Sequence, residues 1–293
     1  MDVFLQQVVS GLATGGIYAS LALSLVMIYQ ATDVVNFAQG EMAMFSTYLA
    51  WSMLNRGAPY WVAFVLTVTI AFVGGLAIER LIIRPVEQAP VLAIVIVTLG
   101  LLVIFNSVAG WLYSYIIQPF PSPFPRAPIR IGRVVFGPHD LGVIGVTLVM
   151  LVLLWLFFRF TSLGLALRAA AQNPAGSRLV GIRVGWMLAL GWGLAALIGA
   201  VAGMMVAPII FLEPNMMSGI LIYAFASATL GGFTSPGGAV LGGFLVGVIE
   251  NLAGTYVRFI GTDLKLTLAL LVIIVVLLVK PSGLFGQAVV RRV

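Results

Sequence analysis

The sequence predicts an all-α polytopic membrane protein, with about 8–10 transmembrane or re-entrant helices in two inverted repeats. Three observations carry this. First, the chain of 293 residues is 61% hydrophobic and 8% charged, against roughly 25% charged in a soluble domain. Its mean hydropathy is +1.15, more apolar surface than a soluble fold of this length can bury. Second, its few charges separate uncharged stretches of membrane-spanning length. Third, two of those stretches are broken by glycine-bearing polar segments that echo each other.

Residues 3–32 carry no charge and are long enough for one tilted helix. The leading MDVFLQQVVSGLATGG lacks a basic region and its first charge is Asp2, so this run is expected to be a retained span. Residues 42–55 form a short uncharged run, and 57–78, 88–110, 141–158 and 184–212 each suit a membrane helix. The uncharged stretch 214–249 is too long for one straight span, and its LGGFTSPGG (230–238) opposes a continuous helix. Two segments are expected there, near 216–230 and 238–253. Residues 266–279 are short but framed by Lys265 and Lys280, whose ammonium groups can reach the interfaces.

Lys and Arg set the direction. The acid-free loop 159–184 holds Arg159, Arg168, Arg178 and Arg183, and the tail holds Lys280, Arg291 and Arg292. Both read as cytoplasmic, with Arg80 and Arg84 on the same side, which places the N-terminus in the periplasm. Arg126, Arg130 and Arg133 oppose this from the outer loop 111–140. The net charge of +6 follows from this loop bias and does not require nucleic acid. The outer loop contains QPFPSPFPRAPIRIGRVVFGPHD, whose I-R-I-G-R-V-V-F alternation predicts a short β-hairpin turning at Gly132; disorder is the alternative.

The two breaks are VVNFAQGEMAMFSTYLAW (34–51) and TLGGFTSPGGAVLGGFLVGVIENL (229–252). Unpaired backbone in hydrocarbon is costly, so both are expected to border a translocation path rather than face lipid. The candidate path residues are Asn36, Gln39 and Glu41 in the first, and Gly231, Gly232 and Ser235 in the second. Glu41 either lines the path or is a structural carboxylate at a helix start. Glu250 and Asn251 fit an interface. Gly11/Gly15, Gly199/Gly203, Gly238/Gly242 and Gly243/Gly247 permit close helix approach.

No catalytic constellation is present. The chain has no cysteine and one histidine, His139, beside Asp140 in the outer loop. It has no phosphate-binding loop, no G-x-S-x-G, no H-E-x-x-H and no metal-ligand cluster, so no metal and no cofactor is expected.

TSLGLALRAAAQNPAGSRLVGIRV (161–184) is too polar to span. Its alanines favour helix up to Asn173, Pro174 can open a second helical turn, and Gly181 closes it. A short helix across the cytoplasmic face either docks on another protein through its basic side chains or rests on anionic lipid.

The order of Arg168, the following alanines, Asn173 and Gly181-Ile182 resembles the coupling loop of ABC importer permeases, and within them the branched-chain amino-acid (Liv-type) family, the shorter of its paired permeases. GLATGGIYASLALSLVMIY (11–29), the two broken segments and the closing KPSGLFG (280–286) are similar to the same family over nearly the whole chain. The resemblance implies one permease domain over 1–293 in a bacterial inner membrane. It implies an importer assembled from this chain, a second related permease, two cytoplasmic ATPases that bind the ATP, and a periplasmic binding protein. Arg168, Gln172, Asn173, Pro174, Arg178 and Gly181 would then contact the ATPase. Branched-chain amino acids are the default substrate; urea, short amides and small carboxylates belong to related members. An ion-coupled secondary transporter is the rival class, with Glu41 and Glu250 as its only support. Gln39 departs from a frequent histidine of the family, and Pro174 from a frequent non-proline.

Overall fold

The computed structural model describes residues 2–32, 34–125, 127–131, 134–261 and 264–286. It is all-α apart from one hairpin, and the helices follow the uncharged stretches closely: α1 Asp2–Thr32, α2 Gln39–Asn55, α3 Tyr60–Ile78, α4 Val91–Tyr113, α5 Pro138–Phe160, α6 Ser162–Gln172, α7 Pro174–Leu179, α8 Val184–Ile210, α9 Met217–Gly231, α10 Pro236–Tyr256 and α11 Lys265–Val279. α3 runs on through a π-turn, Glu79–Ile83, and a 3-10 turn, Arg84–Val86. Among the described residues, six helices are long and apolar enough to cross a membrane: α1, α3 with its extension, α4, α5, α8 and α10. α9 and α11 are shorter apolar helices. With α2 they agree with the expected range of spanning or re-entrant segments. The hairpin pairs β1, Ile129–Ile131, antiparallel with β2, Val134–Phe136, through Ile131 opposite Val134. The expected turn at Gly132, with Arg126 and Arg133, lies outside the described residues, as do Arg291 and Arg292.

The chain divides into two compact units. One comprises Met1–Val26, Pro123–Leu151 and Gly219–Val293, the other Met27–Ser122 and Val152–Ser218.

In the first unit the small residues of α1 and α10 meet. A Cβ on Gly15 would lie 2.8 Å from the Gly243 carbonyl oxygen, and one on Gly11 2.7 Å from Val248 Cα. A Cβ on Gly247 would enter the backbone of Gly11 and Gly15. The two four-residue glycine spacings therefore serve one helix crossing, where dispersion and close approach supply the packing that lipid does not. α5 joins α1 through Thr147, whose hydroxyl lies 2.8 Å from Ser20 Oγ. The expected interfacial Glu250 is buried instead, at 7% exposure. Tyr18 donates to its Oε2 at 2.7 Å, and Lys265 Nζ lies 3.6 Å from Oε1. Tyr18 stacks on Tyr223 with centroids 4.6 Å apart. Lys265 thus pairs with a carboxylate, while Lys280 donates to the Leu284 carbonyl at 3.0 Å. Both framing lysines have protein partners.

In the second unit α8 is the central helix. Gly203 admits α2, since a Cβ there would lie 2.6 Å from the Ala43 carbonyl oxygen. Gly75 of α3 lies as closely against Trp192. α3 and α4 bury little of their surface and expose apolar chains such as Val65, Val73, Leu92 and Val103, as a lipid-facing helix should. α4 and α8 end on non-glycine residues with left-handed backbone, Ser114 at φ 64° and Phe211 at φ 67°. Just beyond them Gln118 and Leu212 exchange two backbone hydrogen bonds of 2.9 Å.

Candidate functional site

The loop 159–184 folds as a helical corner in the second unit. Thr161 caps α6 by accepting from the Gly164 amide at 2.9 Å, and its hydroxyl donates to the Phe157 carbonyl at 2.6 Å. Gly164 is required by the tight α5-to-α6 bend, where a Cβ would enter the Phe157 carbonyl. α6 buries Gly164, Leu167 and Ala170 along one face. Ala170 packs with Ala31, Val184 and Leu188, flanked by Ile182 and Met187. Asn173 ends α6 and caps α7, accepting from the Gly176 amide at 2.8 Å. Pro174 occupies the first turn of α7, where its missing N–H is no loss. Gly181, at φ 84°, closes the corner with its amide on the Arg178 carbonyl at 3.1 Å.

All six residues assigned to this loop, Arg168, Gln172, Asn173, Pro174, Arg178 and Gly181, are exposed. The exposed surface is not only basic. Leu179 is 89% exposed and Val180 76%, and Leu163 and Leu165 are exposed on α6. Charge reading missed this apolar tip. Its only signal in the sequence is Leu-Val directly before the closing Gly181, a position where a stable surface turn needs no apolar pair.

The first break, described over residues 34–38, also falls within the second unit. Asn36 and Gln39 are fully buried. The Asn36 amide donates to Gln39 Oε1 at 3.2 Å, and Gln39 donates to the Ala195 carbonyl of α8 at 3.0 Å. That bond passes over Gly199, where a Cβ would meet Gln39 Nε2. Asn36 Oδ1 accepts from the Ala38 amide at 3.0 Å. Glu41 lies in the first turn of α2 and is 4% exposed, with Asn106 beside its carboxyl group. Asn106 donates to the Pro214 carbonyl at 2.9 Å and to Asn215 Oδ1 at 3.0 Å. Along α2, Tyr48 stacks on Tyr113 with centroids 4.5 Å apart, and Trp51 stands edge-on to both.

The second break, in the first unit, is closed by the chain's last described turn. Gly232 has φ 102° and Gly231 approaches Gly238 too closely for any side chain. Ser235 caps α10 by accepting from the Gly238 amide at 3.0 Å. Leu284 N–H donates to the Leu230 carbonyl at 2.8 Å, and Phe285 N–H to the Gly231 carbonyl at 3.1 Å. KPSGLFG therefore satisfies the carbonyls that end α9, which answers where an interrupted helix sends its free backbone groups. Asn106 and this pairing were not legible in the sequence, because the partners are far apart in the chain.

The sequence pattern of a family described as "Branched-chain amino acid transport system / permease component" matches residues 7–277. The high-affinity branched-chain amino acid transport system permease protein LivH of Escherichia coli (strain K12) is 29% identical over 99% of this chain and 98% of its own. BraD, the corresponding permease protein of Pseudomonas aeruginosa, is 28% identical over 99% of this chain and 98% of its own. A probable branched-chain amino acid transport permease protein of Methanocaldococcus jannaschii is 30% identical over 91% of this chain and 87% of its own.

Proposed function

The chain belongs to the family of branched-chain amino acid transport system permease components, and from that premise we propose that it is the membrane subunit of a binding-protein-dependent ABC importer for those amino acids. It is a multi-pass translocation subunit and not an enzyme. A second related permease, two cytoplasmic ATPases that carry the ATP, and a periplasmic binding protein complete the assembly. The binding protein sets most of the selectivity, so a sibling substrate such as urea, a short amide or a small carboxylate would leave the same permease architecture. The membrane is the bacterial inner membrane, with the N-terminus periplasmic and the C-terminus cytoplasmic, as the Lys and Arg bias supports. The two broken segments belong to inverted repeats, and Asn36, Gln39, Glu41, Gly231, Gly232 and Ser235 border the path.

The single observation that carries the coupling role is the α6–α7 corner. It is capped at both joints, holds itself to α8 by a buried apolar face, and exposes Arg168, Arg178, Leu179 and Val180. A rigid element presented on a polar loop suits the transfer of ATPase movement to the spans. The α8 helix that it packs against also carries the Gln39 contact, so a displacement of the corner reaches the first break through one helix. The test is the complete assembly in vesicles with Arg168→Glu and Arg178→Glu combined. Expected is ATP hydrolysis that no longer drives uptake, or loss of the ATPases, with the permease still folded. Losing charge contacts of this kind typically costs about 2–5 kcal/mol. Normal ATPase retention together with normal uptake would overturn the assignment.

A further inference from the structure

Between α6 and the start of α8 lies a cleft of about 350 Å³ lined by Ala166, Ile182, Arg183, Trp186, Met187 and Leu190. Four of the six are apolar; the others are a guanidinium and an indole. Trp186 is 45% exposed, and the Arg80 guanidinium stacks over its ring at 3.7 Å. Gly185 leaves the space that Arg84 occupies: a Cβ there would lie 2.8 Å from Arg84 Nη2. Arg80 comes from the π-turn and Arg84 from the 3-10 turn that follow α3. Arg80 on the indole, Arg84 against Gly185 and Arg183 in the cleft lining thus bring three guanidinium groups to the start of α8. Among the described residues none of the three has a carboxylate within 4.0 Å. Arg80 Nε is buried without a hydrogen-bond partner. Buried Glu79 interacts with the charges of Arg84 and Arg80, and exposed Glu87 follows the 3-10 turn; two carboxylates against three guanidinium groups leave the cluster a net positive charge. The first amides of α8 add the positive end of a helix dipole.

We propose that this cleft binds one anionic phospholipid, with its phosphate on Arg183 and Arg84 and an acyl chain along Ile182, Met187 and Leu190. The apolar floor is what a soluble phosphate compound would leave unused. An exposed tryptophan under an arginine marks the headgroup level of a membrane helix, and basic clefts between helices take acidic headgroups there. A zwitterionic lipid would set its own ammonium against the guanidinium cluster. A segment of the ATPase is the less suitable occupant, because the exposed corner residues Arg168, Leu179 and Val180 are not among those lining the cleft. Ala166 belongs to the coupling corner and Leu190 to α8, so the lipid touches both at once. The cytoplasmic leaflet as its source rests on the proposed orientation; the headgroup preference does not.

The assembled complex, purified in detergent, would be examined by native mass spectrometry after exchange into phosphatidylglycerol or phosphatidylcholine of the same acyl chains. Retained phosphatidylglycerol and absent phosphatidylcholine are expected. Arg183→Gln should weaken retention about fivefold, and Arg84→Gln with Arg183→Gln about thirtyfold. The double lysine variant should retain the lipid, and Arg56→Gln, an exposed arginine elsewhere, should match the wild type. Ile182→Trp leaves the charges and fills the cleft, and should expel the lipid even if the double glutamine variant fails to assemble. Equal retention of phosphatidylcholine, glutamine variants that hold phosphatidylglycerol like the wild type, displacement by glycerol 1-phosphate at equal concentration, or retention only after the ATPases are stripped off would each overturn the proposal. Arg183→Cys, labelled by an impermeant thiol reagent from one side at a time, tests the orientation separately. Labelling from the outer side would overturn the proposed topology and leave the headgroup result standing.

Discussion

Glu41 and Glu250 are two buried carboxylates in apolar helices, and their surroundings give them different work. Glu41 has one oxygen without a hydrogen-bond partner and sits in the first turn of α2, whose cap residue Ala38 offers no side-chain bond. Asn106 beside its carboxyl group and the positive end of the helix compensate its burial, the helix end by about 0.3–2 kcal/mol. Glu41→Gln is therefore expected to change thermal stability by no more than that, with uptake still driven by ATP and indifferent to the proton gradient. Vesicle uptake with a protonophore at constant ATP measures it; wild-type uptake that collapses there, with a dead Gln variant, would favour ion coupling. Glu250, by contrast, is held by Tyr18 and Lys265. Lys265→Met should lower stability by about 2 kcal/mol, less than a fully buried pair because the lysine side chain is 27% exposed. Adding Glu250→Gln should recover part of that loss, because it removes the stranded charge. Thermal unfolding of both variants in detergent decides, and a double variant no more stable than the single would show that the pair is not coupled.

Among the elements, the α1–α10 crossing is the one with least tolerance. Gly247 has backbone of Gly11 and Gly15 where its side chain would be, so Gly247→Leu must separate the helices. A destabilisation of at least about 1–3 kcal/mol is expected, read as loss of folded, monodisperse protein; Gly74→Ala, whose added Cβ would meet nothing within 4 Å, is the control and should be tolerated. The α6–α7 corner works the other way, by what it leaves uncovered. Leu179 is 89% and Val180 76% exposed, so the fold buries little of either. Leu179→Asp with Val180→Asp should leave the permease folded and abolish co-purification of the ATPases. Retained ATPases would mean that the apolar tip is not part of the docking surface.

At the scale of the whole molecule the absence of native cysteine makes each break separately testable. Gln39→Cys and Ser235→Cys place a thiol at a bordering residue of each break. Labelling by a water-soluble reagent is expected at one or both, with a rate that changes when ATP is trapped in the assembly. Two positions unreactive in every state would identify the breaks as buried packing, a result that the closure of the second by Leu284 and Phe285 makes a real alternative.

Element identity was legible in the sequence because lipid leaves few choices. Uncharged runs must become helices that satisfy their own backbone, and the Asn173-Pro174 and Ser235-Pro236 pairs mark helix starts by local chemistry. The sequence by itself therefore determined the spans, the two breaks, the corner and the family. Only the tertiary structure decided what stands against each of them. Gln39 reaches Ala195, Glu250 meets Tyr18, and KPSGLFG seals LGGFTSPGG. Arg80, Arg84 and Arg183, which the sequence read merely as loop charges, meet the start of α8 on Trp186, beside Gly185 and in the cleft lining. These pairings join residues tens to hundreds of positions apart. Hydropathy and spacing are local quantities, and helices packing through glycine carry no label naming their partner.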